Sequence, residues 1–331
     1  MPLSSHVRLH QILDWDSPRQ NARLRNELAT GLLQTQACIA PKFFYDALGS
    51  RLFEAITELP EYYPTRTEAA IFLEHLPAIR EALGEDSTLI DLGCGNCAKA
   101  GRLFHAGVLP ARYVAVDISV DFLRDSLRHL KRELPAIEMI GIGLDFTHEL
   151  QLPDDLPLER RVFFYPGSSI GNFSPAEAGR FLRRLADQMD SSGGLLIGVD
   201  LIKDSALLDA AYDDALGVTA AFNRNLLRHV NARLDADFAI GDWRHVAFYN
   251  AIDARIEMYL EARRALAASW RDAGGRHCRQ FAAGERIHTE NSYKYSPEGF
   301  AALLESAGFA DIQVWTDPRR WFALFFARRA K

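Results

Sequence analysis

From Thr88 onward the chain alternates short apolar runs with stretches that place apolar residues at helical intervals. Runs at 88 to 93, 112 to 118, 137 to 145, 161 to 166 and 194 to 200 read as strands. The intervening stretches, from 98, over 119 to 132 and over 175 to 189, read as helices. Strands that alternate with helices imply a parallel sheet wound by right-handed crossovers. Ser174-Pro175 followed by Glu177 supplies an N-cap with proline at the first helical position, and Ser191-Ser192-Gly193-Gly194 is a turn into the next strand.

The rhythm is broken twice. Residues 8 to 40 read as one or two polar amphipathic helices, with Leu24, Leu28 and Leu32 at helical spacing. Residues 204 to 285 read as an inserted module: a helical stretch over 204 to 233, then alternating strands at 255 to 266 and 276 to 283 with Arg271–Gly275 as the turn between them. A helix at 297 to 307 and strands at Ile312–Trp315 and Phe322–Phe326 close the chain. Phe43, Phe44 and Phe53 are expected in the core.

The first apolar run ends in Asp91-Leu92-Gly93-Cys94-Gly95-Asn96-Cys97-Ala98-Lys99, a tight turn into a helix. Gly93 and Gly95 let the backbone bend and approach a ligand, and the helix N-terminus beyond them favours electron-rich groups. The second run ends in Asp117, at the distance along the chain where a ribose diol is gripped. A nucleoside cofactor follows, and Gly93-x-Gly95-x-x-Ala98 suits NAD as well as S-adenosylmethionine. The two closing strands fit a terminal hairpin, which is how class I methyltransferase sheets end and most dehydrogenase sheets do not.

The 331 residues are 48% hydrophobic and 25% charged, an ordinary globular balance. A net charge of -6 argues against a nucleic-acid or anionic-membrane surface. Met1–His6 lacks the basic start of a secretory signal and no apolar run reaches membrane-span length, so a cytoplasmic, monomeric protein with a small-molecule partner is expected. Cys94 and Cys97 form a C-x-x-C without a second pair to complete a zinc site, and the ten histidines form no metal-binding pattern. No metal is expected.

Four strings are more specific: Phe44-Tyr45-Asp46-Ala47-x-Gly49-Ser50, Leu59-Pro60-Glu61-Tyr62-Tyr63-Pro64-Thr65-Arg66-Thr67-Glu68, Ser169-Ile170-Gly171-Asn172, and the run from Ala211 to Asn225. From about residue 41 to the C-terminus the chain resembles the histidine-specific S-adenosylmethionine-dependent methyltransferases of ergothioneine biosynthesis. The resemblance implies an α/β fold: a class I, Rossmann-like doubly wound sheet with a terminal antiparallel hairpin over 67–201 and 293–331, and an α+β substrate-binding domain over 8–66 and 202–292. It implies that Gly93 and Lys99 meet the methionine end of the cofactor, Asp117 the ribose, and Asp145 and Phe146 the adenine, with Gly95 of the same turn also at the cofactor. Each has a plainer use: Lys99 as a solvated helix lysine, Asp117 as a helix cap, Asp145 as a loop cap and Phe146 as core.

For the substrate, the resemblance implies that Tyr212 holds a carboxylate and that Tyr45 and Tyr62 surround the reacting amine; Asn172, just beyond the fourth strand at the carboxyl edge where ligands of open α/β sheets bind, is placed to hydrogen-bond the amino or carboxylate group, its plainer use being a turn-forming asparagine. Glu290 and Ser292 would read the two imidazole nitrogens, since period two in Ile287–Ser292 puts both on one face, and Met258 would pack beside the ring. The expected reaction moves methyl groups from S-adenosylmethionine to the α-amino nitrogen of L-histidine, giving the trimethylated product, hercynine, and S-adenosylhomocysteine. Tyr45 or a water accepts the amine proton, and Asn172 joins Tyr45 in the catalytic set. Methylation of another amino acid or aromatic amine, NAD-dependent hydride transfer, and a non-catalytic binding role are the alternatives.

Overall fold

The computed structural model describes residues 7–11, 18–147, 150, 152–272 and 274–331. In chain order the elements are β1 (Arg8–Gln11), α1 (Pro18–Leu33), α2 (Ala47–Thr57), α3 (Tyr63–Glu74), α4 (Leu76–Leu83), β2 (Thr88–Leu92), α5 (Ala98–His105), β3 (Arg112–Asp117), α6 (Val120–Glu133) and β4 (Glu138–Gly143). Then come β5 (Arg161–Tyr165), α7 (Pro175–Asp187), β6 (Gly194–Asp200), α8 (Ser205–Tyr212), α9 (Val218–Leu234), β7 (Trp243–Asn250) and β8 (Arg255–Ala262). The last are β9 (Leu266–Asp272), β10 (Gly275–Phe281), β11 (Arg286–Tyr293), α10 (Pro297–Ser306), β12 (Phe309–Thr316) and β13 (Phe322–Arg329). They fall into two compact units, one holding β1, Pro64–Ile202 and Lys294–Lys331, the other residues 18–63 and Lys203–Tyr293.

The first unit is built on an eight-stranded sheet of order β1-β4-β3-β2-β5-β6-β13-β12. Strands β1 to β6 run parallel, while β13 inserts antiparallel between β6 and β12. Every residue of β2, β5 and β6 is buried, as their continuous apolar runs require. Ile90, Val114 and Phe163 pack with Phe181 and Leu185 of α7 and Phe300 of α10. On the other face Leu89, Tyr113 and Phe164 pack with Ile71, Ile79, Leu103 and Leu127 from α3 to α6. Helix α7 opens with a capping box in which Ser174 and Glu177 satisfy each other's backbone amides. Strand order reverses at β2 and β5, the switch point whose carboxyl edge receives ligands in open α/β sheets.

One expectation fails here. Arg8–Gln11 is not helical: it is the edge strand β1, paired in parallel with Ile140–Gly143 of β4, and it belongs to the unit of the large sheet. Two ion pairs of Arg8, to Glu138 and Asp155, fasten that edge. Residues 12–17, also read as helix, lie outside the described residues.

The second unit has a three-stranded antiparallel sheet, β11-β8-β7, a hairpin, β9-β10, and helices α1, α2, α8 and α9. Helix α9 is its centre, burying Phe222, Leu226, Leu227 and Val230. The helical stretch expected over 204 to 233 holds two helices, α8 and α9, because Asp214 accepts the amides of Val218 and Thr219 and Gly217 adopts φ +76°, where a new helix starts. The insert over 204 to 285 also holds four strands rather than two: β7 was not anticipated, and the run at 255 to 266 divides into β8 and the beginning of β9. Strands β9 and β10 pair antiparallel, with Asp272 opposite Gly275; residue 273 of the expected turn lies outside the described residues.

Candidate active site

In the first unit, β2 delivers the glycine turn. Gly93 and Gly95 have φ of +70° and +53°, and the Gly93 and Cys94 amides bond the Val116 carbonyl at the end of β3. A Cβ placed at Gly95 would meet no atom within 4 Å, and one at Gly93 would lie 3.6 Å from the Phe146 ring. The turn therefore presents bare backbone to open space with an aromatic ring beside it. Asp117 is buried; its Oδ2 accepts from the Gly95 amide at 2.9 Å and its Oδ1 from the Ser119 amide at 2.9 Å. Burial pushes its carboxyl pKa up, and these backbone donors oppose the push. Asp117 thus ties the glycine turn to the end of β3, and a carboxylate with two anchored oxygens keeps lone pairs for a diol.

Asp145 follows β4 and caps its own loop, accepting from the Thr147 amide at 3.2 Å and from the Thr147 hydroxyl. Phe146 packs edge-on to Tyr165, with centroids 5.8 Å apart, and against Phe181. Lys99, in the first turn of α5, makes an ion pair of 2.6 Å with Glu68, a partner the sequence reading did not assign although Glu68 ends one of the distinctive strings. Asn172 closes a 3-10 turn just after β5, half-buried, and its side chain makes no hydrogen bond among the described residues. These groups fit a nucleoside carrying an amino-acid end: open backbone at the glycines, an aromatic wall, a diol acceptor and an ammonium.

In the second unit the antiparallel register defines the other group. Glu290 stands opposite Met258 and Ser292 opposite Ile256, so all four share a face of the β8–β11 pair. The period-two argument holds only for Glu290 and Ser292, because a bulge at Thr289 shifts the register and turns His288 to the opposite face against Tyr259. Glu290, Ser292 and Met258 are buried. The hydroxyls of Ser292 and Tyr212 are 2.8 Å apart, so two residues given separate tasks by the resemblance share a hydrogen bond. Tyr62 meets Tyr212 edge-on at 6.3 Å, Phe53 meets Tyr62 at 6.3 Å, and Tyr45 meets Phe53 at 5.7 Å. Phe222 of α9 closes this chain of rings against Tyr45 and Phe53.

Phe43 and Phe44 are core as expected, whereas Phe53 is only half-buried and links the tyrosines. Behind Tyr212 sits His245, whose Nε2 bonds the Tyr212 carbonyl and whose Nδ1 bonds the Asn223 amide nitrogen, each at 2.8 Å. A carbonyl only accepts and an amide NH2 only donates, so Nε2 carries the proton and the ring is neutral. Burial, which lowers the His245 pKa, agrees with that form. Among the described residues no three His, Cys, Asp or Glu side chains gather as metal ligands, and no helix is long and apolar enough to cross a membrane.

The antiparallel β13 beside an otherwise parallel sheet, with a glycine turn and acid-ended second strand at its switch point, defines a class I S-adenosylmethionine-dependent methyltransferase rather than a dinucleotide dehydrogenase. Within that class the chain belongs to the histidine-specific, S-adenosylmethionine-dependent methyltransferases, which it matches over residues 24–329. It is 42% identical over 318 residues to the histidine N-alpha-methyltransferase of Mycolicibacterium smegmatis, covering 92% of this chain and 95% of that protein. Identity to the enzyme of the same name from Mycobacterium tuberculosis is 39%, over 92% and 95% of the two chains. Ergothioneine biosynthesis protein 1 of Neurospora crassa is 30% identical over 82% of this chain and 31% of its own length.

Proposed function

We infer that this protein methylates the α-amino nitrogen of L-histidine with S-adenosylmethionine, carrying the substrate to the trimethylated betaine for ergothioneine biosynthesis. The observation that carries the histidine reading is the shared face of Glu290, Ser292 and Met258, with the Tyr212 hydroxyl on Ser292. A carboxylate accepts one imidazole N–H, the serine hydroxyl serves the other nitrogen, and the thioether packs beside the ring. Tyr212 holds the carboxylate, Tyr45 and Tyr62 surround the amine, and the Asn172 amide hydrogen-bonds the amino or carboxylate group.

S-adenosylmethionine supplies an electrophilic methyl on a sulfonium, which is displaced in line without a metal. Gly93 and Gly95 offer backbone to its amino-acid end beside Lys99, Asp117 accepts from the ribose, and Asp145 and Phe146 hold the adenine. What the chain contributes is mainly positioning. The α-amine is protonated near neutral pH, so one proton must leave before attack; a nearby sulfonium lowers the amine pKa, and Tyr45 or a water takes the proton. As methyls accumulate, the tyrosine faces receive the growing cation. The same reading makes the protein a cytoplasmic monomer with no nucleic-acid partner, and the net charge of -6 supports the last of these.

The test is incubation with S-adenosylmethionine and a mixture of all amino acids, followed by mass spectrometry. Histidine alone should gain methyl groups, ending at three. Methylation of a different amino acid in preference to histidine would overturn the reading.

A further inference from the structure

The proposed cofactor groups leave one buried charge unexplained. Glu68, on α3, is 1% exposed, and an ionised carboxylate taken that far from water is sustained only by close partners. It has one for each oxygen: Oε2 is 2.6 Å from the Lys99 ammonium, and Oε1 accepts the Gly167 amide at 2.7 Å. Two glycines make the space. A Cβ on Gly198 of β6 would stand 2.2 Å from Glu68 Oε1, and one on Gly167, whose φ is +80°, would stand 2.6 Å from Lys99 Nζ. The Lys99 side chain keeps 32% of its surface exposed while that of Glu68 keeps 2%, so the ammonium emerges from a buried anchor. It makes no other hydrogen bond among the described residues, leaving two of its three donors for a ligand.

A free lysine stem samples many rotamers, an entropy that binding would otherwise have to remove. We propose that Glu68 is a positioning residue that fixes the Lys99 ammonium in advance for the carboxylate at the amino-acid end of the cofactor, and locks the turn at Gly167 into the same clamp. This rests on the reading of Lys99 as the group that meets that carboxylate. Charge alone predicts the opposite effect: removing the Glu68 anion would free Lys99 and tighten an anionic group beside it. Positioning predicts loosening, because a glutamine at 68 keeps an acceptor for Gly167 but turns an NH2 donor toward the ammonium.

The experiment is calorimetric titration with S-adenosylhomocysteine and with 5′-methylthioadenosine, which shares the adenosine and sulfur but lacks the amino-acid end. Lys99→Met should weaken S-adenosylhomocysteine about ten- to a hundredfold and leave methylthioadenosine unchanged, the loss expected for one charge-assisted hydrogen bond. Glu68→Gln should weaken S-adenosylhomocysteine roughly tenfold with methylthioadenosine again unchanged, and should add nothing in the Lys99→Met background, the non-additivity of a residue acting through another. Glu68→Asp, which keeps the charge but draws it back by one methylene, serves if the glutamine variant does not fold, and should show the same selective loss. Tighter S-adenosylhomocysteine binding, or an equal loss for both ligands, would overturn the positioning role. A Lys99→Met variant without selectivity would instead remove Lys99 from the carboxylate, and the inference with it.

Discussion

Asp91 shows how a single residue in the glycine-turn motif can carry more than its place in the pattern. It lies on β2, 1% exposed, where its Oδ2 accepts the Tyr113 hydroxyl at 2.7 Å and its Oδ1 has no partner among the described residues. Burial raises its pKa to about 7, while the Tyr113 hydrogen bond and the charge of Lys99 pull it back. The unfolded chain releases this proton near pH 4 and the native state holds it to near pH 7, so the stability it contributes is full below pH 4 and lost as pH rises to about 7. The loss is on the order of 4 kcal/mol. Asp91→Asn keeps the acceptor for Tyr113 and removes the titration. In urea denaturation of the ligand-free protein, wild type should therefore lose stability from pH 5 to pH 7.5 more steeply than the asparagine variant; parallel curves would show that Asp91 does not titrate in that window. Nothing in Leu89–Leu92 signals this, because the shift depends on Tyr113 arriving from the neighbouring strand. Asp117 was legible for the converse reason: a strand ending in an acid at the switch point is a local pattern with a local geometric result.

At the scale of elements, the strings that marked the family act largely on the backbone. Asp46 caps α2 through the Gly49 amide at 2.7 Å, and the same oxygen accepts the Asn225 side chain of α9 at 2.7 Å. Gly49 is obligatory, since a Cβ there would stand 1.7 Å from the Phe44 carbonyl oxygen. One string from residue 44 to 50 and another ending at Asn225 are thus two halves of a single helix-to-helix tie. Asp46→Ala should destabilise the protein by about 2 to 4 kcal/mol, about 1 for the cap and 1 to 3 for the stranded Asn225 amide. Asp46→Asn, which retains an acceptor, should cost roughly half as much, and chemical denaturation distinguishes the two; equal losses would mean that the hydrogen bonds are incidental. The sheet and its helices were readable from the start because apolar runs and caps are periodic over many residues. The insert was not: β7 alternates weakly and is half-buried along most of its length, and the bulge at Thr289 is a property of the pairing with β8 rather than of the sequence of β11. Strand β1, four residues long, is held by its partner β4 and by the ion pairs of Arg8, none of which its own pattern contains.

For the whole molecule, the two groups of residues belong to different units, and that separation can be tested as function. The Asp117 carboxylate closes the glycine turn of the first unit, while Glu290 stands on β11 of the second, opposite Met258. If each serves the ligand assigned to it, substitution should move one binding constant and leave the other. Asp117→Ala should weaken S-adenosylhomocysteine in calorimetry about ten- to a hundredfold, from the 1.5 to 3 kcal/mol of a hydrogen bond to a charged group, with histidine KM little changed at saturating cofactor. Glu290→Ala should leave S-adenosylhomocysteine binding unaltered and lower kcat/KM for histidine by about one to two decades through KM, because an imidazole N–H loses its carboxylate. It should also discriminate less against phenylalanine, which asks nothing of a ring-nitrogen acceptor. Each measurement uses a ligand that the other residue is not assigned to touch, so a loss of fold is separable from a loss of contact: an unfolded variant fails both, a contact variant only one. A Glu290→Ala enzyme with wild-type histidine kinetics, or one that loses cofactor affinity in equal measure, would displace the imidazole from this strand face and leave the amine substrate to be sought elsewhere.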